Sequence, residues 1–261
     1  MARRPPARAP QEKPFRISGF AAVSALFARD PQRVERLYFE PQFQIAAAPF
    51  CKIMAQQRKL YRQVGAEELA KIAGTVLTGG IVAISRPRPV EPFNVDTFLR
   101  SPQPLLALDG VSNPHNLGAI VRTLAFFGVE RLILTDHPEQ ATPSESAYRV
   151  AEGGFEYVAL SRIDSTPETL QRLQKRCRVI GTAPDRKAMT SSMLKDDPKN
   201  GNDARPALIV LGNEERGLRP NVLAACSETL TIPGAGWVQS LNVAATAAIL
   251  IYNLLLRSNT P

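Results

Sequence analysis

The sequence predicts an α/β protein: a C-terminal domain on a mainly parallel sheet, preceded by a small N-terminal α/β domain. From Pro104 onward, strand-like and helix-like segments alternate, the pattern of βαβ units with helices on both faces of a sheet. The stretch Arg86-Pro-Arg-Pro-Val-Glu-Pro92 is stiffened by its prolines and divides the 261-residue chain. Charge divides there too. Residues 1–100 carry 16 Lys/Arg against 8 Asp/Glu, which gives +8, whereas residues 101–261 carry 16 against 16. A basic first part beside a neutral second part suggests a polyanion-binding segment joined to a domain with other work.

Residues 1–14 hold Arg3, Arg4, Arg8, Lys13 and four prolines without an apolar run, and read as a disordered basic tail rather than a secretory signal. The small domain spans 15–85. In it, Ser18 is placed to cap a helix from about Gly19 to Arg29, with Val23, Leu26 and Phe27 on one face. Arg36–Phe39 reads as a strand, Met54–Arg62 as a polar, basic stretch, Glu67–Ala73 as a helix and Gly80–Ser85 as a strand. Residues 86–103 read as a linker. In the second domain, 104–261, the expected strands are Leu105–Leu108, Arg131–Thr135, Tyr157–Leu160, Arg178–Thr182, Ala207–Leu211 and Thr229–Ile232. The expected helices are Asn116–Phe127, Pro143–Ala151, Pro167–Arg176, Arg219–Ala225 and Asn242–Arg257. Met189–Asp203 is polar and reads as an insertion.

Hydrophobic residues make up 44% and charged residues 21%, enough for a packed core. The longest apolar stretch, Val243–Leu256, contains Thr246, Tyr252 and Asn253 and is too short for a bilayer, so no membrane association is expected. Cys51, Cys177 and Cys226 are scattered and odd in number, which fits a reducing cytoplasm and gives no metal-ligand spacing. A Gly-x-Gly-x-x-Gly turn after a strand, a Walker loop and a nucleophile elbow are all missing from the sequence.

Three segments share one grammar: an apolar strand, a polar loop with glycine, then a helix. Ligands in parallel sheets sit beyond the carboxyl ends of the strands, where these loops fall. In Asn113–Arg122, Asn116 is a plausible helix cap, and Leu117, Ile120, Val121 and Leu124 form the inward stripe. Arg122 flanks that stripe, as an anion contact or as a surface ion pair; His115 is a base or a turn residue. In Leu211–Leu218, a buried strand ends at Gly212, and Glu214, Glu215 and Arg216 crowd the loop. In Ile232–Val243, a proline and a glycine-bearing loop lead to Ser240 and Asn242 at a helix start, where backbone amides can hold a polar ligand.

Together these segments resemble the SpoU/TrmH family of RNA ribose 2′-O-methyltransferases, within the SPOUT superfamily. Asn116, Gly118 and Arg122 match its Asn-x-Gly-x-x-x-Arg motif. Gly212, Glu214, Gly217 and Leu218 match Gly-x-Glu-x-x-Gly-Leu. Ile232, Pro233, Gly236, Ser240, Leu241, Asn242 and Val243 match the third motif. The likeness covers about Pro104–Arg257. Ala244 stands where the family often has a second serine. Phe15–Ser85 more weakly resembles the ribosomal-protein-like RNA-binding domain that often precedes this catalytic domain, with Thr78-Gly-Gly80 where many members have His-Gln-Gly.

The resemblance implies a deep trefoil knot, a homodimer with its active site completed across subunits, and S-adenosylmethionine held at Thr182, Gly212, Ile232 and Leu241 without a metal. It makes Arg122 the central catalytic residue, with Asn116, Glu214, Ser240 and Asn242 around it, and transfer or ribosomal RNA the substrate. Two other functions fit the same sequence: a non-catalytic RNA-binding protein on this fold, or a SPOUT methyltransferase acting on another acceptor atom.

Overall fold

The computed structural model describes residues 14–183, 189–190 and 205–255. The expected basic tail therefore lies outside the described residues but for its last position, as does nearly all of the expected insertion at 189–203. The chain divides into two compact units, 1–87 and 88–261.

The first unit runs β1 (Phe15–Ser18), α1 (Phe20–Arg29), β2 (Val34–Phe39), α2 (Gln44–Gln56), β3 (Leu60–Gln63), α3 (Ala66–Ala73) and β4 (Ile81–Ser85). Its sheet has the order β1-β4-β2-β3. The β1–β4 and β4–β2 pairs are antiparallel, while β2 and β3 are parallel. Leu69 and Ala73 of α3 pack with Tyr38, Val82 and Ile84 on one face. The helix α1 starts after Gly19, which makes no side-chain cap bond, so Ser18 is not its cap. The helix α2 was not expected from sequence. It carries Pro49 in its interior, where the missing N–H and the ring together cost about 3 kcal/mol. Burial of Ala47 and Met54 and the stacking of Phe50 on Phe27, with centroids 4.6 Å apart, offset that cost.

The second unit runs β5 (Glu91–Pro92), α4 (Val95–Arg100), β6 (Leu105–Asp109), α5 (Pro114–Phe126), β7 (Arg131–Leu134), α6 (Glu145–Ala151), β8 (Ala159–Arg162), α7 (Thr166–Leu173), β9 (Arg178–Thr182), β10 (Met189–Thr190), β11 (Ala207–Gly212), α8 (Pro220–Ala224), β12 (Glu228–Thr231) and α9 (Val243–Leu255). Its eight-stranded sheet has the order β10-β12-β9-β11-β6-β7-β8-β5. Every adjacent pair is parallel.

Residues 86–103 are not a simple linker. Glu91–Pro92 pairs with β8, and Val95 and Phe98 of α4 are buried in the core with Leu170, Val179 and Leu208. An apolar pair three residues apart, behind the Asn94 cap, was the signal that the prolines masked. The expected strand at Tyr157–Leu160 begins two residues later, because a 3-10 turn occupies Gly154–Glu156. On the other side of the sheet, α5 packs against α6 and α9. A Cβ on Gly118 would lie 2.5 Å from the Ala147 carbonyl oxygen, so α5 and α6 touch through backbone there.

Candidate active site

The parallel sheet delivers β9, β11 and β12 with their carboxyl ends side by side. Beyond those ends lies an open cleft of about 240 Å3. Its walls include Thr182 at the end of β9, Gly212 at the end of β11 and Ile232 just after β12. Ser240 and Leu241, from the loop before α9, and Glu214 complete them. The four positions expected to hold the cofactor thus share one cavity with two of the expected catalytic residues. The cleft combines apolar side chains, the Thr182 hydroxyl and strand-end backbone with a carboxylate at Glu214. That set suits a ligand with a flat apolar ring, sugar hydroxyls and a positive centre.

The Gly212 loop is built by close backbone approach. A Cβ on Gly212 would lie 2.2 Å from the carbonyl carbon of Gly217, so no side chain fits. Asn213 and Gly217 exchange both backbone bonds, at 2.9 and 3.0 Å. The Asn213 side chain accepts from the N–H groups of Glu215 and Arg216 and donates to the Gly110 carbonyl at 2.8 Å. That last bond ties the loop to the β6–α5 connection. Gln140 holds the same connection, accepting from Gly110 N–H and donating to the Val111 carbonyl.

The three motif segments meet through side chains. Asn116 Nδ2 donates to Glu214 Oε1 at 2.6 Å, and Asn242 Nδ2 donates to Asn116 Oδ1 at 3.1 Å. Asn242 Oδ1 in turn accepts from Ala244 and Ala245 N–H at 2.8 and 3.3 Å, which caps α9 and fixes which way the amide faces. A directed chain of donors therefore runs from the α9 N-terminus to the Glu214 carboxylate. Asn116 is not the cap of its own helix: Asn113 holds that place, accepting from His115 N–H with Pro114 at the first helical position. The shift frees the Asn116 side chain for the site. His115 is exposed at the helix start.

Arg122 is elsewhere in this chain. Six residues along a helix turn it about 240° and carry it about 9 Å from Asn116. Its guanidinium pairs with Glu152 at 3.0 Å, both side chains at least half exposed. The pair lines a separate shallow cavity of about 270 Å3 with Phe126, Gly153 and Tyr157. The expectation that Arg122 sits over the loops near Asn116 is thus not met within one chain.

A partly buried ion-pair cluster, missed in the sequence, pins the far end of the Gly212 loop. Arg219 Nη2 lies 2.6 Å from both Asp109 and Asp136, and the Arg219 backbone N–H bonds the fully buried Asp109 at 3.2 Å. Thr135 and Thr166 hydroxyls donate to Asp109 and Asp136. Burial alone would raise the Asp136 carboxyl. Hydrogen bonds from Arg219 and Thr166 and the guanidinium charge outweigh it and hold Asp136 below the ordinary carboxylate range. A charge closing a buried apolar strand, as Asp109 closes Leu105–Leu108, is the signal that marks such a cluster. Burial, with help from the charge of Asp109, pushes the Cys226 thiol up to about 12, so it is no nucleophile. Among the described residues there is no cluster of His, Cys, Asp or Glu able to hold a metal, and no helix long and apolar enough to cross a membrane.

Comparison with known proteins gives the family. The family model described as the SpoU rRNA Methylase family matches residues 103–252, and the model described as RNA 2′-O ribose methyltransferase substrate binding matches residues 16–90. The 23S rRNA (guanosine-2′-O-)-methyltransferase RlmB of Acinetobacter baylyi is 32% identical over 92% of this chain and 96% of its own length. The protein of the same name from Pseudomonas aeruginosa is 30% identical over 94% and 97%. The crystal structure of an AdoMet-bound rRNA methyltransferase from Sinorhizobium meliloti superposes with a TM-score of 0.74 at 22% identity, covering 95% of this chain and 88% of that one, and so shares its fold. With both halves matched in order, this chain belongs to the SpoU rRNA methylase family.

Proposed function

We propose that this protein transfers a methyl group from S-adenosylmethionine to a ribose 2′-hydroxyl of ribosomal RNA, a guanosine of 23S rRNA being the best-supported target. The reading is supported by the convergence of Asn116, Glu214 and Asn242 at the mouth of a cleft lined by Thr182, Gly212, Ile232 and Leu241. Relatives matched over more than nine-tenths of the chain are named for the guanosine 2′-oxygen of 23S rRNA. Free thiols at Cys51, Cys177 and Cys226 accord with work in the cytoplasm.

S-adenosylmethionine, when bound, supplies a methyl group already activated on a sulfonium sulfur. The protein's task is then to orient the acceptor oxygen and stabilise charge on it as its proton leaves. Asn116 holds Glu214 at the cleft mouth, and Ser240 and Leu241 wall the side from which the ribose approaches. Arg122 acts by charge on the developing alkoxide, because a guanidinium is a very poor base at neutral pH, and the proton passes to solvent by way of a neighbouring RNA phosphate.

Within one chain Arg122 lies away from the cleft, so we assign it to the cleft of a second copy in a homodimer. The exposed Phe126, Tyr157 and Tyr252 near its surface give that copy an apolar footing. The knot implied by the family resemblance belongs to this proposal as well, formed by the chain around the Gly212 and Ser240 loops.

Mixing tests the assignment. Arg122→Ala and Glu214→Ala proteins are each expected to bind RNA and to transfer methyl poorly. Combined in equal amounts and allowed to exchange subunits, they should regain about one quarter of wild-type sites, since half the dimers are mixed and each holds one intact site. Near-normal turnover by Arg122→Ala alone refutes its role, and no recovery on mixing refutes the shared site. Undetectable S-adenosylmethionine binding by calorimetry favours a non-catalytic RNA-binding protein instead.

A further inference from the structure

Trp237 stands on the loop between Ile232 and Asn242, three residues before Ser240, with 94% of its surface exposed. Val238 at 73% and Leu241 at 48% extend the exposed apolar strip toward the cleft, where Leu241 forms part of the wall. Gly234 and Gly236 lie just before the indole, and Gly236 has φ +82°, a conformation open to glycine at little cost. An indole left in water forgoes the burial that its large apolar surface would gain, and the described residues offer it no cover. The roles assigned above to the cleft residues leave this side chain unused.

A ribose 2′-oxygen reaches a cleft beyond strand ends only if its nucleotide is splayed from the RNA stack. The splayed base then loses its neighbours and needs another flat surface. We propose that Trp237 supplies it, stacking on the nucleobase of the nucleotide presented for methylation, so that this loop holds the splayed base, whatever its identity, while Asn116 and Glu214 hold the reacting group. The excess positive charge of the first 100 residues would gather the phosphates, and the indole would support the base face. The inference rests on the methyltransferase reading above.

Trp237 is the chain's single tryptophan, so its fluorescence reports on this loop alone. The protein is titrated with 23S ribosomal RNA from cells lacking it, with S-adenosylmethionine present, and separately with polyphosphate. Saturable quenching by the RNA, unchanged across protein concentrations and weaker with polyphosphate, is expected. Trp237→Ala should weaken RNA affinity and raise KM for RNA by between about 5- and 150-fold, the range measured for base–aromatic stacking. Its kcat and S-adenosylmethionine binding should stay near wild type, and Trp237→Phe should recover most of the loss. Equal quenching by polyphosphate overturns stacking. A shift that follows protein concentration rather than RNA overturns it in favour of a contact between two copies. Unaltered KM in Trp237→Ala with intact cofactor binding overturns it alone, whereas loss of all cofactor binding by wild type would sink the underlying reading.

Discussion

Replacing Asn116 by alanine should cut the polar chain at its middle. Two bonds disappear: the donation to Glu214 at 2.6 Å and the acceptance from Asn242 at 3.1 Å. A hydrogen bond to an ionised partner contributes about 1.5–3 kcal/mol and a neutral one about 0.5–1.5 kcal/mol. Asn116 and Glu214 are half-buried and Asn242 is exposed, so the lower ends apply and the sum is about 2 kcal/mol. If these bonds hold the loops in the reacting arrangement, the loss falls on the transition state and lowers kcat/KM roughly 30-fold. The assay is transfer of labelled methyl from S-adenosylmethionine to RNA by wild type, Asn116→Ala, Glu214→Ala and the double variant. Because the two side chains touch, the double variant should lose far less than the product of the single losses, with a coupling of about 1–2 kcal/mol. Circular dichroism melts guard against a trivial folding defect. Independent losses, with coupling below about 0.3 kcal/mol, would refute the reasoning.

Gly212→Ala should abolish S-adenosylmethionine binding in calorimetry, because its methyl would sit 2.2 Å from the Gly217 backbone. Gly217→Ala, with open space around its Cβ and only φ +70° against it, should cost about 1–2 kcal/mol and keep the ligand; equal losses would contradict the crossing-backbone account. Asp136 has a folded pKa below its unfolded one, so its stabilisation is full above about pH 4 and is lost as pH falls through the folded value. Urea midpoints followed between pH 6 and pH 3 should therefore fall less steeply below about pH 4 in Asp136→Asn than in wild type.

The second unit was largely legible because its signals are punctuation. Proline or glycine marks most of the βα loops, and fully apolar runs such as Leu208–Leu211 announce buried parallel strands. The cleft followed from placing the loops at strand ends. Side-chain partners did not follow. Asn113 and Asn116 are both good caps by composition, and only the structure shows that the first takes the role and releases the second. Arg122 was placed by the family motif and by its position beside the inward stripe, although helical geometry turns it away from Asn116. The helix α2 was invisible because its support is tertiary: burial of Ala47 and Met54, with Phe50 against Phe27, offsets an interior proline that local propensity forbids.

The bonds that join the catalytic loops link positions 98 and 126 residues apart. A ribosome making this chain delivers Asn242 well after the basic first unit has emerged and had time to fold. A half-synthesised molecule can thus meet RNA long before it can alter it. Chain order itself keeps the chemistry silent until the last of these three loops has left the ribosome.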